Sequence, residues 1–140
     1  MEEQLHREKL LDIFRNPPNK GEINNPDIEA ELVNPLCGDE IKLQLKVRSL
    51  RALRPLRGLK NSKLKIIEKA VFSGNGCAIS QASASLLAEY IEGKSLTEVK
   101  KLTAKDIFKL IGIKPTPARV GCVLLGLNVL KEALERGKQT

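Results

Sequence analysis

Strand-like patterns crowd the first half of this 140-residue chain and helix-like patterns the second. That order predicts an α+β fold, a small antiparallel sheet of about three strands with helices packed on one face. Two further observations point the same way. Ile41, Leu43, Leu45 and Val47 alternate with Lys42, Gln44, Lys46 and Arg48, which is the period of a strand with one buried and one wet face. Hydrophobic residues make up 41% of the chain, yet only three Phe, one Tyr and no Trp occur. A single domain over 1–140 with an aliphatic core is therefore expected.

The elements follow in order. Met1 to Arg15 reads as a helix whose Leu5, Leu10, Ile13 and Phe14 share a face. Asn16-Pro17-Pro18-Asn19-Lys20-Gly21 ends it, and Asn24-Asn25-Pro26-Asp27 prolongs the irregular stretch. Ile28, Ala30 and Leu32 alternate with Glu29 and Glu31 as a short strand. After the turn at Asn34–Asp39 comes the clear strand from Ile41 to Arg48, and Leu64 to Phe72 is a third. Ser73-Gly74-Asn75-Gly76 is read as a turn. Cys77 to Glu92 is a helix with Ile79, Ala82, Leu86 and Tyr90 about one turn apart, closed by Gly93. Ser95 and Glu98 have capping-box spacing and open a short helix. Thr103-Ala104-Lys105-Asp106 opens another, and a last long helix spans about Pro117 to Arg136 with Val123, Leu127, Leu130 and Leu134 as its stripe. Ser80, Ser83 and Ser85 are read as small residues that permit close helix packing.

The formal net charge is +7, and its placement matters. Residues 48–69 hold Arg48, Arg51, Arg54, Arg57, Lys60, Lys63, Lys65 and Lys69 against one acid, Glu68, so the rest of the chain is neutral in sum. Between Arg48 and Lys60 a Leu-Arg or Leu-Lys step recurs every three residues, which suits neither a helix nor a strand. A basic insertion at about 49–63, an enlarged connection between two strands, is the expectation. It is a solvated loop or a dock for an acidic partner. The scarcity of aromatics for stacking argues against nucleic acid. No apolar run approaches the ~18–20 residues that span a bilayer. Met1-Glu2-Glu3-Gln4 starts acidic without a signal-peptide apolar region, so a cytoplasmic location is expected and a membrane role is not.

The cysteines are Cys37, Cys77 and Cys122, an odd number with no C-x-x-C, so neither a disulfide framework nor a local zinc knuckle is expected. Cys37 and Asp39 flank a glycine that allows a tight turn, so both can project to one point, either as metal ligands or as an ordinary buried cysteine and turn. Cys77 follows Gly74-Asn75-Gly76 and starts a helix, where free N–H groups and the dipole favour an anion. Arg119 lies one turn before Cys122 and is placed to steady a thiolate. Taken together, three thiols and one carboxylate make a four-ligand set beside turns and helix starts, a set that zinc accepts tetrahedrally and iron–sulfur clusters accept through their thiolates. His6, the only histidine, sits in the first helix and reads as a surface residue, against Ser-His or Cys-His hydrolysis.

Three motifs in order resemble the U-type iron–sulfur scaffolds, the IscU/SufU/NifU-like family. They are Asn34-Pro35-Leu36-Cys37-Gly38-Asp39-Glu40-Ile41, Gly74-Asn75-Gly76-Cys77-Ala78-Ile79-Ser80-Gln81, and Ala118-Arg119-Val120-Gly121-Cys122. Asn16-Pro17-Pro18-Asn19-Lys20-Gly21 is also similar. The resemblance implies a metal site at one exposed end of the sheet, with Cys37, Asp39, Cys77 and Cys122 as ligands and Arg119 beside them. It implies a non-enzymatic scaffold, a monomer or weak oligomer. Such a scaffold takes sulfur from a cysteine desulfurase, builds a transient 2Fe–2S cluster and passes it to apo iron–sulfur acceptor proteins. The alternative is a zinc-dependent sulfurtransferase that accepts persulfide on Cys37, Cys77 or Cys122 and carries a Zn or Fe ion. Many Isc-branch scaffolds have His where Gly121 stands, and their chaperone motif appears only as Pro115-Thr116-Pro117-Ala118-Arg119. That argues against a dedicated Hsp70-type partner. Arg119 matches the SufU-like pattern, but the extra residues usual between the second and third cysteines of that branch are absent.

Overall fold

The computed structural model describes residues 2–35, 38–51, 63–112, 116–117 and 119–137. Cys37 and residues 52–62 of the basic insertion lie outside them. The element order is α1 (Glu2–Arg15), β1 (Ile28–Asn34), β2 (Asp39–Arg51), β3 (Lys63–Asn75), α2 (Ala78–Ile91), α3 (Leu96–Lys100), α4 (Ala104–Ile111) and α5 (Val120–Gly137). The strands form one antiparallel sheet in the order β1-β2-β3. This is the α+β arrangement that the residue order predicts. Among the described residues no helix is long and apolar enough to cross a membrane.

The alternation in β2 fixes which face is buried. Ile41, Leu43 and Leu45 are buried together with Ile67, Ala70 and Phe72 of β3, and α2 and α5 cover them. On α5 the expected stripe of Val123, Leu127, Leu130 and Leu134 is buried throughout. The core is aliphatic apart from Phe72. Fully burying each such side chain contributes about 1.5–3 kcal/mol.

Several local expectations differ from the structure. Helix α2 is buried continuously from Ser80 to Ala88, because the sheet, α1, α4 and α5 surround it, while Tyr90 of the expected stripe is 42% exposed. On α1, Leu10 is buried but Phe14 is 38% exposed. β3 does not turn at Ser73. It pairs with β2 as far as Asn75↔Glu40. Gly74 makes this possible, since it adopts φ 129° and a Cβ there would collide with the Glu40 carbonyl.

The irregular stretch after α1 is tied to the sheet. Residues 19–21 lie along the edge of β3, where the Phe72 amide donates to the Asn19 carbonyl and the Gly21 amide to the Phe72 carbonyl. The chain then crosses the outer face. The Asp27 carboxylate accepts from the Val47 amide at 2.8 Å, and the Asp27 amide donates to the Leu45 carbonyl. Under this strap Gln44 is buried, although it sits on the face expected to be wet. It is satisfied there. Its Oε1 accepts from the Ile23 amide, and its Nε2 donates to Glu29.

Candidate metal centre

Three elements meet at one end of the sheet. Asp39 is the first residue of β2 and pairs with Asn34, the last of β1. The turn between them is held by the Gly38 amide donating to the Asn34 carbonyl at 2.8 Å, with Gly38 at φ 72°. The Asp39 side chain is thereby aimed into the protein and is buried. Its Oδ1 accepts a hydrogen bond from the Cys77 amide at 3.1 Å. That bond joins the start of β2 to the start of α2, which are 38 residues apart.

Cys77 is the N-cap of α2, with φ −70° and ψ 167°. Its sulfur takes the place usually held by a serine or aspartate oxygen and accepts from the Ser80 amide at 3.5 Å. The Ser80 hydroxyl donates to the Cys77 carbonyl at 3.1 Å and stands 3.7 Å from the sulfur. Ser80 therefore fixes the orientation of Cys77, beyond the packing role read from its size. Gly76 allows the approach, because a Cβ there would lie 2.5 Å from the Ser80 oxygen and 3.1 Å from the Asp39 carboxyl carbon. Gln81 steadies the same turn, donating to the Gly76 carbonyl at 3.2 Å and accepting from the Lys20 ammonium at 3.4 Å.

Cys122 sits in the first turn of α5 and is 2% exposed. The preceding Gly121 is open on one side and faces the Asn34 carboxamide on the other, where a Cβ would lie 3.1 Å from the amide nitrogen. Arg119 is exposed and marks the entry to α5, its carbonyl accepting from the Val123 amide at 3.0 Å.

The ligand atoms of Asp39, Cys77 and Cys122 all lie within 4.8 Å of one another. Of the four residues expected to share a site, the structure thus brings three together, and Cys37, two residues before Asp39, lies outside the described residues. Two sulfurs and one carboxylate oxygen at this spacing fit a thiophilic metal. In a tetrahedral zinc–thiolate site with bonds of ~2.3 Å, neighbouring sulfurs stand about 3.8 Å apart. The helix N-termini of α2 and α5 add positive field to a site that concentrates negative charge when ionised.

The family described as the NifU-like N terminal domain matches residues 5–139. The chain is 30% identical over 149 residues to the zinc-dependent sulfurtransferase SufU of Bacillus subtilis, covering 94% of this chain and 90% of that protein. It is 33% identical over 130 residues to the iron–sulfur cluster assembly scaffold protein IscU of Aquifex aeolicus, covering 93% of this chain and 74% of that one. In fold it is similar to the crystal structure of an N-terminal NifU-like protein from Brucella abortus, with a TM-score of 0.70 over 94% of this chain and 93% of the other at 18% identity.

Proposed function

The chain belongs to the NifU-like N-terminal domain family, and on that premise we propose that it is a cytoplasmic scaffold for iron–sulfur cluster assembly. The observation that carries this reading is the convergence of Asp39, Cys77 and Cys122 from three separate elements to within 4.8 Å. Cys37 completes the ligand set. The cargo is a 2Fe–2S cluster, held by soft thiolates and by one carboxylate. A carboxylate oxygen is a harder donor and a weaker ligand for such a site than a fourth thiolate, so the cluster is held but can still leave. A cysteine desulfurase supplies the sulfur, and apo iron–sulfur proteins receive the finished cluster. Sulfur enters when a thiolate of this chain attacks the outer sulfur of the desulfurase persulfide. The persulfide S–S bond breaks, the desulfurase thiolate departs, and this chain carries the new persulfide.

A second reading is favoured by one feature of the geometry. Three donor atoms mutually within 4.8 Å suit the ligand shell of a single tetrahedral ion, whereas a two-iron cluster divides its ligands between two metals. A resident zinc held by the same four residues would then poise a thiolate to accept persulfide; the Bacillus subtilis relative is named a zinc-dependent sulfurtransferase.

The test is an anaerobic visible spectrum with metal analysis after incubation with a cysteine desulfurase, iron and excess cysteine, whose thiol also supplies the two electrons that turn each persulfide sulfur into sulfide. The scaffold reading expects sulfur-to-iron charge-transfer bands and about two iron and two sulfide per chain. A colourless protein that retains one zinc and accumulates persulfide would replace it with the second reading.

A further inference from the structure

We propose that Gln81 and Lys20 are positioning residues of the metal centre. Lys20 sets the orientation of the Gln81 carboxamide, and Gln81 holds the peptide unit through which Cys77 and Asp39 are aimed. That role rests on the reading of Asp39, Cys77 and Cys122 as a metal centre, whichever metal or cluster they hold.

The peptide unit between Gly76 and Cys77 is held at both ends. Its N–H donates to Asp39 Oδ1 at 3.1 Å, and its carbonyl accepts from Gln81 Nε2 at 3.2 Å. A peptide unit is planar and stiff, so the bond at one end fixes the direction of the other. Gly76 makes that restraint necessary. A Cβ is excluded there by the Ser80 oxygen, and a glycine lacks the steric limits that would otherwise hold the peptide plane. Without the Gln81 bond the plane is free to turn, and the Cys77 N–H then leaves Asp39. Two of the three converging side chains, Asp39 and Cys77, are therefore aimed through one peptide unit.

A carboxamide has a donor end and an acceptor end, and turning it end for end would set its oxygen against the Gly76 carbonyl. Lys20 opposes that turn. Its ammonium has only donors and stands 3.4 Å from Gln81 Oε1, which leaves Nε2 to face the carbonyl. Gln81 is buried, so a wrongly turned carboxamide would find little water to satisfy it. Lys20 is itself held by its backbone. It bridges to Phe72, with the Asn19 carbonyl accepting from the Phe72 amide and the Gly21 amide donating to the Phe72 carbonyl, both at 2.9 Å. Phe72 is fully buried in the core. Lys20 thus takes its place from the sheet edge and Gln81 from α2, and the two meet beside the turn that carries Cys77.

The test measures Zn²⁺ affinity by chelator competition, the visible spectrum of the Co²⁺-loaded chain and the thermal melt of the metal-free chain. Gln81→Leu, Lys20→Met, the two combined, and Lys20→Arg are compared with wild type. Zinc affinity is expected to fall about tenfold or more in Gln81→Leu and by less in Lys20→Met. Lys20→Arg should keep wild-type affinity, because arginine also offers only donors. In the Gln81→Leu background Lys20→Met should cause no further loss, since Lys20 acts through Gln81. The Co²⁺ ligand-field bands should shift in Gln81→Leu while the sulfur-to-metal charge transfer persists, because the thiolates remain and only their arrangement changes. A lowered metal-free melt with a wild-type Co²⁺ spectrum would make the role merely structural and overturn the proposal. So would wild-type zinc affinity in both Gln81→Leu and Lys20→Met, a loss in Lys20→Arg as large as in Lys20→Met, or a Lys20→Met loss undiminished in the Gln81→Leu background. A wild type that binds zinc no more tightly than Cys77→Ala would remove the metal centre itself, and the proposal with it.

Discussion

A Cβ at position 76 would stand 2.5 Å from the Ser80 oxygen and 3.1 Å from the Asp39 carboxyl carbon. Gly76→Ala must therefore push apart the two groups that orient Cys77. Overpacking of this kind costs about 1–3 kcal/mol, and most of the displacement falls on the metal centre. The variant is expected to stay folded by far-UV circular dichroism and to bind Zn²⁺ at least tenfold more weakly in a chelator competition. Wild-type affinity would mean that the turn relaxes without moving Asp39. Asp39→Asn separates two roles of the same side chain. An amide oxygen can still accept from the Cys77 amide, but it is neutral and a poorer metal ligand. The melting temperature should change little, while cluster transfer to an apo-ferredoxin changes several-fold. A transfer rate equal to wild type would remove Asp39 from the release step. Asp39, Cys77 and Cys122 could be picked out as candidates from the sequence because their residue types announce the chemistry. Ser80 was not, because its part in the site depends on the sulfur of Cys77 lying at the helix cap, which composition does not reveal.

At the scale of elements, α4 shows how an exposed cap becomes a pH dependence. The Asp106 carboxylate accepts from the Thr103 amide at 2.8 Å and from its hydroxyl at 3.0 Å. The amide bond above all, then the hydroxyl and nearby Lys109, lower its pKa below 3.8. A carboxyl lowered on folding adds stability that is present above its unfolded value and is lost as pH falls through the folded one. Thermal melts of wild type and Asp106→Asn should accordingly differ by a constant amount from pH 7 down to about pH 5 and converge below the ordinary carboxylate range. A gap unchanged at the lowest pH would assign the stabilisation to something other than the ionised cap. Strands and helices with clean periods were readable from sequence, since β2 alternates strictly and α5 carries an unbroken stripe. The end of β3 was not, because Ser73-Gly74 looks like a turn and its pairing depends on the Glu40 backbone lying too close for any side chain. The strap at 22–27 was equally hidden, since its partners Gln44, Leu45 and Val47 are distant in sequence.

On the scale of the whole molecule, the candidate metal centre lies at the shared edge of two layers. The sheet supplies Asp39, and the helices packed on it supply Cys77 and Cys122. The relative position of the two thiols therefore depends on the packing of α5 against α2 and β1. Leu130 is fully buried in that packing, two turns beyond Cys122. Leu130→Ala is expected to cost about 2–5 kcal/mol, read as a lower denaturant midpoint, and to loosen metal binding in the same variant. The order of elements and the aliphatic core were legible from the sequence because they follow from hydrophobic periods. The meeting of Asp39, Cys77 and Cys122 became visible only with the fold, because gaps of 38 and 45 residues carry no distance information. X-ray absorption at the zinc edge of the metal-loaded chain tests that meeting most directly. The account predicts a four-coordinate ion with three sulfurs at ~2.3 Å and one oxygen at ~2.0–2.2 Å, and the loss of one sulfur from the shell in each of Cys37→Ala, Cys77→Ala and Cys122→Ala. A shell of nitrogen and oxygen alone, or one unchanged by any of these substitutions, would contradict it.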